Sequence, residues 1–260
     1  MKKLISLLTL MLGLSIFLNI SVFAESSYSW YCLRNRDHKQ PKADTNMSFI
    51  EEYGGYYVDK KHGDDCEEKV IYLTFDAGYE NGNVAKILDI LKEKETPGAF
   101  FVLGNLILRE PELIKRMASE GHIVANHTTH HKDITKYQTP DELKKDLENL
   151  EVLYREATGA EMSKFFRPPE GKFNKSSIGF AKDLGYTTVF WSIAYADWDN
   201  DQQPSEKIAK AKILDHIHNG AIILLHPTSA TNVKILGQLI DELKQQGYRF
   251  GNLTELTPHE

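Results

Sequence analysis

Cysteine is scarce in this chain, with only Cys32 and Cys66 among 260 residues. Neither sits in a Cys-x-x-Cys pair, so a thiolate zinc site has no ligands to draw on. Both precede the first apolar, β-branched run, and there a disulfide tying down an N-terminal arm and two separate thiols are both open. Basic residues are in deficit as well: 31 Lys and Arg face 37 Asp and Glu, a net charge of −6. No basic patch or stripe stands out, which excludes the electrostatic footprint of a nucleic-acid binder. Long apolar runs are limited to one, from Leu4 to Ile20.

That run follows Met1-Lys2-Lys3 and leads into Ser21-Val22-Phe23-Ala24. A positive start, an apolar centre and small residues at 22 and 24 read as a secretory signal peptide over residues 1–24, cleaved after Ala24. The alternative is an uncleaved membrane anchor, since the run is just long enough to span. Either way the rest of the chain is expected outside the cytoplasmic membrane. Loss of residues 1–24 removes two lysines and no acid, giving 29 − 37 = −8.

Residues 25–68 are polar, irregular and aromatic-rich (Tyr28, Trp30, Tyr31, Tyr53, Tyr56, Tyr57) and read as an arm packed on the main domain. From residue 69 to 260 the pattern changes. Short apolar runs are expected as strands at Val70–Phe75, Gly98–Leu103, His122–Asn126, Phe165–Pro168, Thr187–Ile193, Ala221–Leu225 and Arg249–Leu253. Helices are expected between them, at Asn83–Lys94, Pro111–Glu120, Pro140–Thr158, Ser176–Leu184, Ser205–His218 and Asn232–Gln246. In the third, Leu143, Leu147, Leu150 and Tyr154 recur at spacings of three and four. Strands alternating with helices imply parallel pairing through right-handed crossovers, in a doubly wound sheet or a barrel.

Polar residues at the strand ends decide between the two. The ends carry Thr74-Phe75-Asp76-Ala77-Gly78, then His127 to His131, Arg167-Pro168-Pro169-Glu170, Asp197-Trp198 and Leu224-Leu225-His226. A barrel gathers five strand ends on one face, whereas an open sheet spreads them along a line, so a barrel is expected. Singly, each residue has an ordinary explanation: Asp76 as a turn cap, Arg167 as a surface ion-pair donor, Trp198 as core, His226 as a satisfied core histidine. His127 and His131 are four apart, and one helical turn would put both imidazoles on one side, ready to hold a metal.

The ordered set Thr-Phe-Asp-x-Gly, His-Thr-x-x-His, Arg-x-Pro, Asp-Trp and Leu-x-His resembles the NodB-like polysaccharide deacetylases over residues 69–256. The stretches 71–82, 29–31 and 190–198 are similar to the subgroup of muramic-acid N-deacetylases that form the δ-lactam of spore-cortex peptidoglycan. The resemblance implies an irregular α/β barrel of about seven strands. It also implies hydrolysis of an N-acetyl group on peptidoglycan glycan strands, by a monomer in the cell wall or forespore envelope.

It further implies a role for each residue. Asp76 is the general base, held by Arg167; His226 protonates the departing amine, paired with Asp197. His127 and His131 hold a divalent metal, expected to be zinc. The backbone N–H of Glu170 donates to the oxyanion, and Trp198 with Leu224 walls the acetyl pocket. One position departs from the wider family: Ala77 stands where most members carry a metal-binding aspartate, as the δ-lactam subgroup also departs there. Other expectations remain beside this one: deacetylation of N-acetylglucosamine polymers or acetyl-xylan, or a glycan-binding protein without activity.

Overall fold

The run Val70-Ile71-Tyr72-Leu73-Thr74-Phe75 lies at the centre of a parallel sheet, and alternation along it sorts the whole molecule. The computed structural model describes residues 25–33 and 36–257, so the segment read as a signal lies outside the described residues. Among those described, no helix is long and apolar enough to cross a membrane. The chain runs β1 (Tyr28–Ser29), β2 (Lys69–Ala77), α1 (Val84–Glu93), β3 (Ala99–Val102), α2 (Gly104–Arg109), α3 (Pro111–Ser119), β4 (Ile123–Asn126), α4 (Pro140–Thr158), β5 (Phe165–Phe166), β6 (Lys172–Phe173), α5 (Lys175–Asp183), β7 (Thr187–Thr188), β8 (Ile193–Ala194), α6 (Glu206–Leu214), β9 (Ile222–Leu225), α7 (Ala230–Gln245) and β10 (Tyr248–Phe250).

The strand order is β7-β5-β4-β3-β2-β9-β8, all parallel. β10 pairs with Lys69–Ile71 on β2, and β3 pairs with Thr74–Ala77 further along it. The sheet curls into the irregular α/β barrel expected from the sequence. Its seam between β7 and β9 is bridged by the N-terminal segment, where Tyr56 pairs with Val189 and Val58 with Ala221.

Period-two alternation divides the apolar residues into two layers. Val70, Tyr72, Ala99, Phe101, Ala125, Phe165 and Ile222 share the inner cluster. Ile71, Leu73, Phe75, Phe100, Val102, Val124 and Ile223 pack outward against Leu88, Ile114 and Leu236 of the surrounding helices. A third cluster joins Trp30, Phe49, Tyr57, Phe173 and Phe190, seating residues 25–68 on the barrel. α4 has the expected bounds because its ends are specified locally. The Thr139 hydroxyl accepts from the Glu142 N–H, Pro140 occupies the first turn, and Gly159 closes it at φ 75°.

Two local expectations are corrected, one helix is added, and a disulfide that the sequence left open is absent. The strand expected over Thr187–Ile193 is broken into β7 and β8. Its Val189 N–H still donates to Phe166, but Phe190 N–H donates to Tyr56 and Ser192 N–H to Ile222. The segment thus crosses from β5 to β9, and its Val189 and Phe190 carbonyls accept from Arg167. The helix expected to reach His218 stops at Leu214, because the Asn219 side chain holds the following turn. It accepts from Val70 N–H and donates to the Gly63, Cys66 and Glu68 carbonyls. Helix α2 was not expected; at six residues it is too short for periodicity to report. Finally, no disulfide joins Cys32 to Cys66, and the Cys32 thiol donates to the Ser192 carbonyl at 2.7 Å.

Gly220 lies where the N-terminal segment meets β9. It has φ 72°, and a Cβ there would sit 2.3 Å from the Asp59 carbonyl oxygen and 2.8 Å from that of His62. Gly220→Ala is expected to cost ~2 kcal/mol or more through left-handed strain plus this clash. Urea unfolding measures it, and an unchanged midpoint would show that the seam yields at no cost.

Candidate active site

The alternation that sorts the core also places the chemistry. Tyr72, Phe101, Ala125, Phe165 and Ile222 point inward. Continuing by twos along their strands leads to Thr74 and Asp76, His127, Arg167, and Leu224 and His226. These inward positions lie at the carboxyl ends of parallel strands, where barrel enzymes assemble their sites. A cavity of about 730 Å³ opens there, with Asp76, His127, His131, Glu170, Trp198, Leu224 and His226 in its wall. Arg167 and Asp197 lie behind it, fully buried.

Arg167 makes the central contact. Its Nη1 donates to Asp76 Oδ1 at 2.8 Å and Nη2 to Thr74 Oγ1 at 2.9 Å. Nε donates to the Val189 carbonyl at 2.9 Å and Nη2 also to that of Phe190 at 3.1 Å. The guanidinium stacks 4.1 Å from the Phe101 ring centroid. Burial alone would raise the Asp76 carboxyl. The charges of Arg167, His127 and His226, with the Arg167 hydrogen bond, outweigh it and hold Asp76 below the usual carboxylate range.

His127 and His131 do approach each other, with ring centroids 5.1 Å apart. A helical turn is not the reason. The segment is a loop in which Thr128 and His131 take left-handed φ values of 71° and 56°. Side chains hold it there: Asn126 Oδ1 accepts from Thr128 N–H, Asp146 Oδ1 from Thr129 N–H, and Thr128 Oγ1 from His131 N–H, each at 2.9 Å. Burial pushes the His127 imidazole down to about 4, so it is neutral at pH 7. Its Nδ1 lies 2.8 Å from the Arg167 carbonyl and must be the protonated nitrogen. The Nε2 lone pair is then left facing Asp76 Oδ2, 3.6 Å away.

This tautomer suits a metal ligand, whose second nitrogen is normally tied to a carbonyl or carboxylate. The donor set stops at two imidazoles, however. Among the described residues no group of three His, Cys, Asp or Glu side chains is placed to hold an ion. Ala77 is fully buried in the outward-facing core beside Phe75.

On the other side of the cavity, His226 Nδ1 lies 2.8 Å from Asp197 Oδ1. Asp197 Oδ2 accepts from the His226 backbone N–H at 2.8 Å and from Asn232 Nδ2 at 2.6 Å. Burial would lower the His226 imidazole, but the hydrogen bond and charge of Asp197, then the charge of Asp76, raise it above its usual value. With Nδ1 committed to Asp197, Nε2 is the nitrogen free to exchange a proton.

Trp198 is 61% exposed at the rim, and Leu224 is buried at 5%. Glu170 sits at φ 56° in a single turn after Pro168. Three neighbours were given no role from the sequence. Thr74 and Asn232 are buried polar side chains; Thr74 opens the Thr-Phe-Asp-x-Gly motif, and Asn232 has no motif to mark it. Trp30, from the N-terminal segment, lines the cavity and donates Nε1–H to the Trp191 carbonyl at 2.8 Å. For Thr74 the usable signals were its place in the motif and a polar side chain on an otherwise apolar inner face; for Trp30 it was the stretch 29–31.

Residues 63–189 match the sequence profile described as polysaccharide deacetylase. The chain is 40% identical over 229 residues to peptidoglycan-N-acetylmuramic acid deacetylase PdaA of Bacillus subtilis, covering 88% of this chain and 85% of that protein. The solved structure of PdaA, a family 4 carbohydrate esterase, superposes with a TM-score of 0.82 over 88% of this chain and 96% of that one. A family 4 carbohydrate esterase from Bacillus anthracis, 35% identical, superposes at 0.72 over 89% and 96%. A peptidoglycan-N-acetylglucosamine deacetylase of Bacillus cereus is 31% identical over 73% of this chain and 88% of its own. With five strand-end motifs gathered on one cavity and relatives of this identity along most of its length, the chain belongs to the polysaccharide deacetylase family of hydrolases.

Proposed function

We propose that this protein removes the acetyl group from N-acetylmuramic acid in peptidoglycan, outside the cytoplasmic membrane, as a step towards the muramic δ-lactam of spore cortex. The observation that carries the reading is a matched pair across one cavity: Asp76 held ionised by Arg167, and His226 held protonatable by Asp197. Similarity to PdaA over 88% of the chain supports the muramic substrate. Residues 1–24 supply the export signal or anchor.

Amide hydrolysis requires an activated water, a stabilised oxyanion and a proton for the amine. Asp76 takes the proton from water, and Arg167 keeps the carboxylate charged and aimed. The Glu170 N–H faces the oxyanion. His226 delivers its Nε2 proton to the leaving nitrogen, while Asp197 fixes the tautomer. Trp198 and Leu224 wall the space for the acetyl methyl. A divalent ion of zinc type on His127 and His131 would polarise the acetyl carbonyl and lower the pKa of bound water. With Ala77 in place of a carboxylate, the site offers two protein ligands where catalytic zinc usually has three.

Digestion of peptide-free glycan strands with and without the protein, followed by mass spectrometry, tests the substrate. Acetyl loss on muramic residues is expected. Loss confined to glucosamine residues would assign the reaction of the Bacillus cereus relative instead. Asp76→Asn should lower turnover by about 10²–10⁴ with the fold retained; near-normal turnover would remove Asp76 from the base role.

The pH dependence follows from the directions of the shifts. On the acid side, turnover falls as His127, near pH 4, and then Asp76 take up protons. On the alkaline side it falls as His226 loses its proton, above the usual imidazole value of 6.5. A kcat/KM profile whose alkaline limb lies at or below that value would exclude His226 as the acid.

Zinc titration by calorimetry should give one site per chain, and His131→Ala should weaken it by more than about tenfold. Equal affinity in the native and substituted proteins would place the ion elsewhere.

A further inference from the structure

We propose that Asn232 is a positioning residue for the proton-donating step, acting on His226 through Asp197. The inference rests on the acid role given to His226. Asn232 lies in the first turn of α7 and is fully buried. Its Nδ2 donates to Asp197 Oδ2 at 2.6 Å and to the His226 backbone carbonyl at 3.0 Å. That carboxylate and carbonyl can only accept, which fixes the end of the amide that donates, and the Asn232 Oδ1 accepts from the Tyr195 hydroxyl. One side chain therefore grips both partners of the pair and is itself held in one orientation.

The arrangement has a chemical consequence. Asp197 carries three donors: the imidazole and the backbone N–H of His226, and the Asn232 amide. Every donor spreads the carboxylate charge and weakens its hold on the imidazolium. The other charged groups acting on His226 are Asp76, which favours its cationic form, and Arg167, which opposes it. Without the Asn232 donor, Asp197 would bind the His226 proton more tightly. The imidazolium would then be a weaker acid towards the departing amine, with its alkaline limit moved to higher pH. Asn232 thus tempers the carboxylate so that His226 is held above the usual imidazole value and still releases its proton. The backbone bond to His226 adds an orienting role, because it fixes the chain from which the imidazole projects.

The test compares the full chain with Asn232→Ala, Tyr195→Phe and His226→Ala, each with its fold checked by circular dichroism. Acetate release from peptide-free glycan strands and hydrolysis of 4-nitrophenyl acetate are followed across pH. The phenolate leaves without a proton, so the ester reports on the site without the acid step. Asn232→Ala is expected to lower kcat on the glycan by about tenfold or more. It should lower ester hydrolysis far less and move the alkaline limb of the glycan profile upward. Tyr195→Phe keeps the ring and removes the hydroxyl that holds the Asn232 Oδ1 and also bonds Ser229. It should reproduce the same changes at smaller size, and it stands in if Asn232→Ala does not fold. Equal losses on both substrates with an unmoved alkaline limb would overturn the positioning role and leave a structural one. A native profile in both Asn232→Ala and Tyr195→Phe, beside an inactive His226→Ala, would overturn the inference alone. A fully active His226→Ala would overturn the inference and the acid assignment together.

Discussion

The buried contact between Arg167 and Asp76 is the constraint around which the site is arranged. A guanidinium removed from water carries a large desolvation cost, and such a group is stable only when its donors are met. Here Asp76 supplies the charge, Thr74 a hydroxyl, and the break between β7 and β8 two carbonyls. The interrupted strand is therefore required by the arginine. Had residues 187–193 paired continuously, the Val189 and Phe190 carbonyls would have been used by a neighbouring strand. The Arg167 carbonyl in turn fixes the His127 tautomer, so one residue orders both Asp76 and the histidine loop.

The two flanks of the cavity are tuned in opposite directions by the same means. On one side a cation is set against a carboxylate, and Asp76 stays ionised. On the other a carboxylate is set against an imidazole, and His226 stays protonatable. Each tuning residue is more deeply buried than the group it tunes, which keeps solvent from screening the interaction. Asn232 and Tyr195 continue the second arrangement one step further into the protein.

Residues 25–68 complete the wall. Their aromatic cluster with Phe173 and Phe190 brings Trp30 to the cavity, beside Gly171 and Trp191. Gly171 has φ 63°, and a Cβ there would fall 2.8 Å from the Trp191 ring and 3.1 Å from Trp30. The close approach of these two tryptophans to the Glu170 turn thus depends on the absence of a side chain at 171.

The sequence by itself determined the barrel and the inward set Asp76, His127, Arg167 and His226. Period-two alternation is local, and it carries from the apolar part of a strand to its polar end without further information. The sequence also fixed the bounds of α4, because Thr139, Pro140 and Gly159 specify them within a turn. Only the tertiary structure decided the rest. The approach of His127 to His131 comes from left-handed loop residues held by Asn126 and by Asp146, a residue of α4. The split of residues 187–193 depends on the donors of Arg167, and the end of α6 on an asparagine that reaches back to β2. Asn232 carries no motif, and the stretch 29–31 does not by itself place Trp30, since what brings each to the site is a contact with residues distant along the chain.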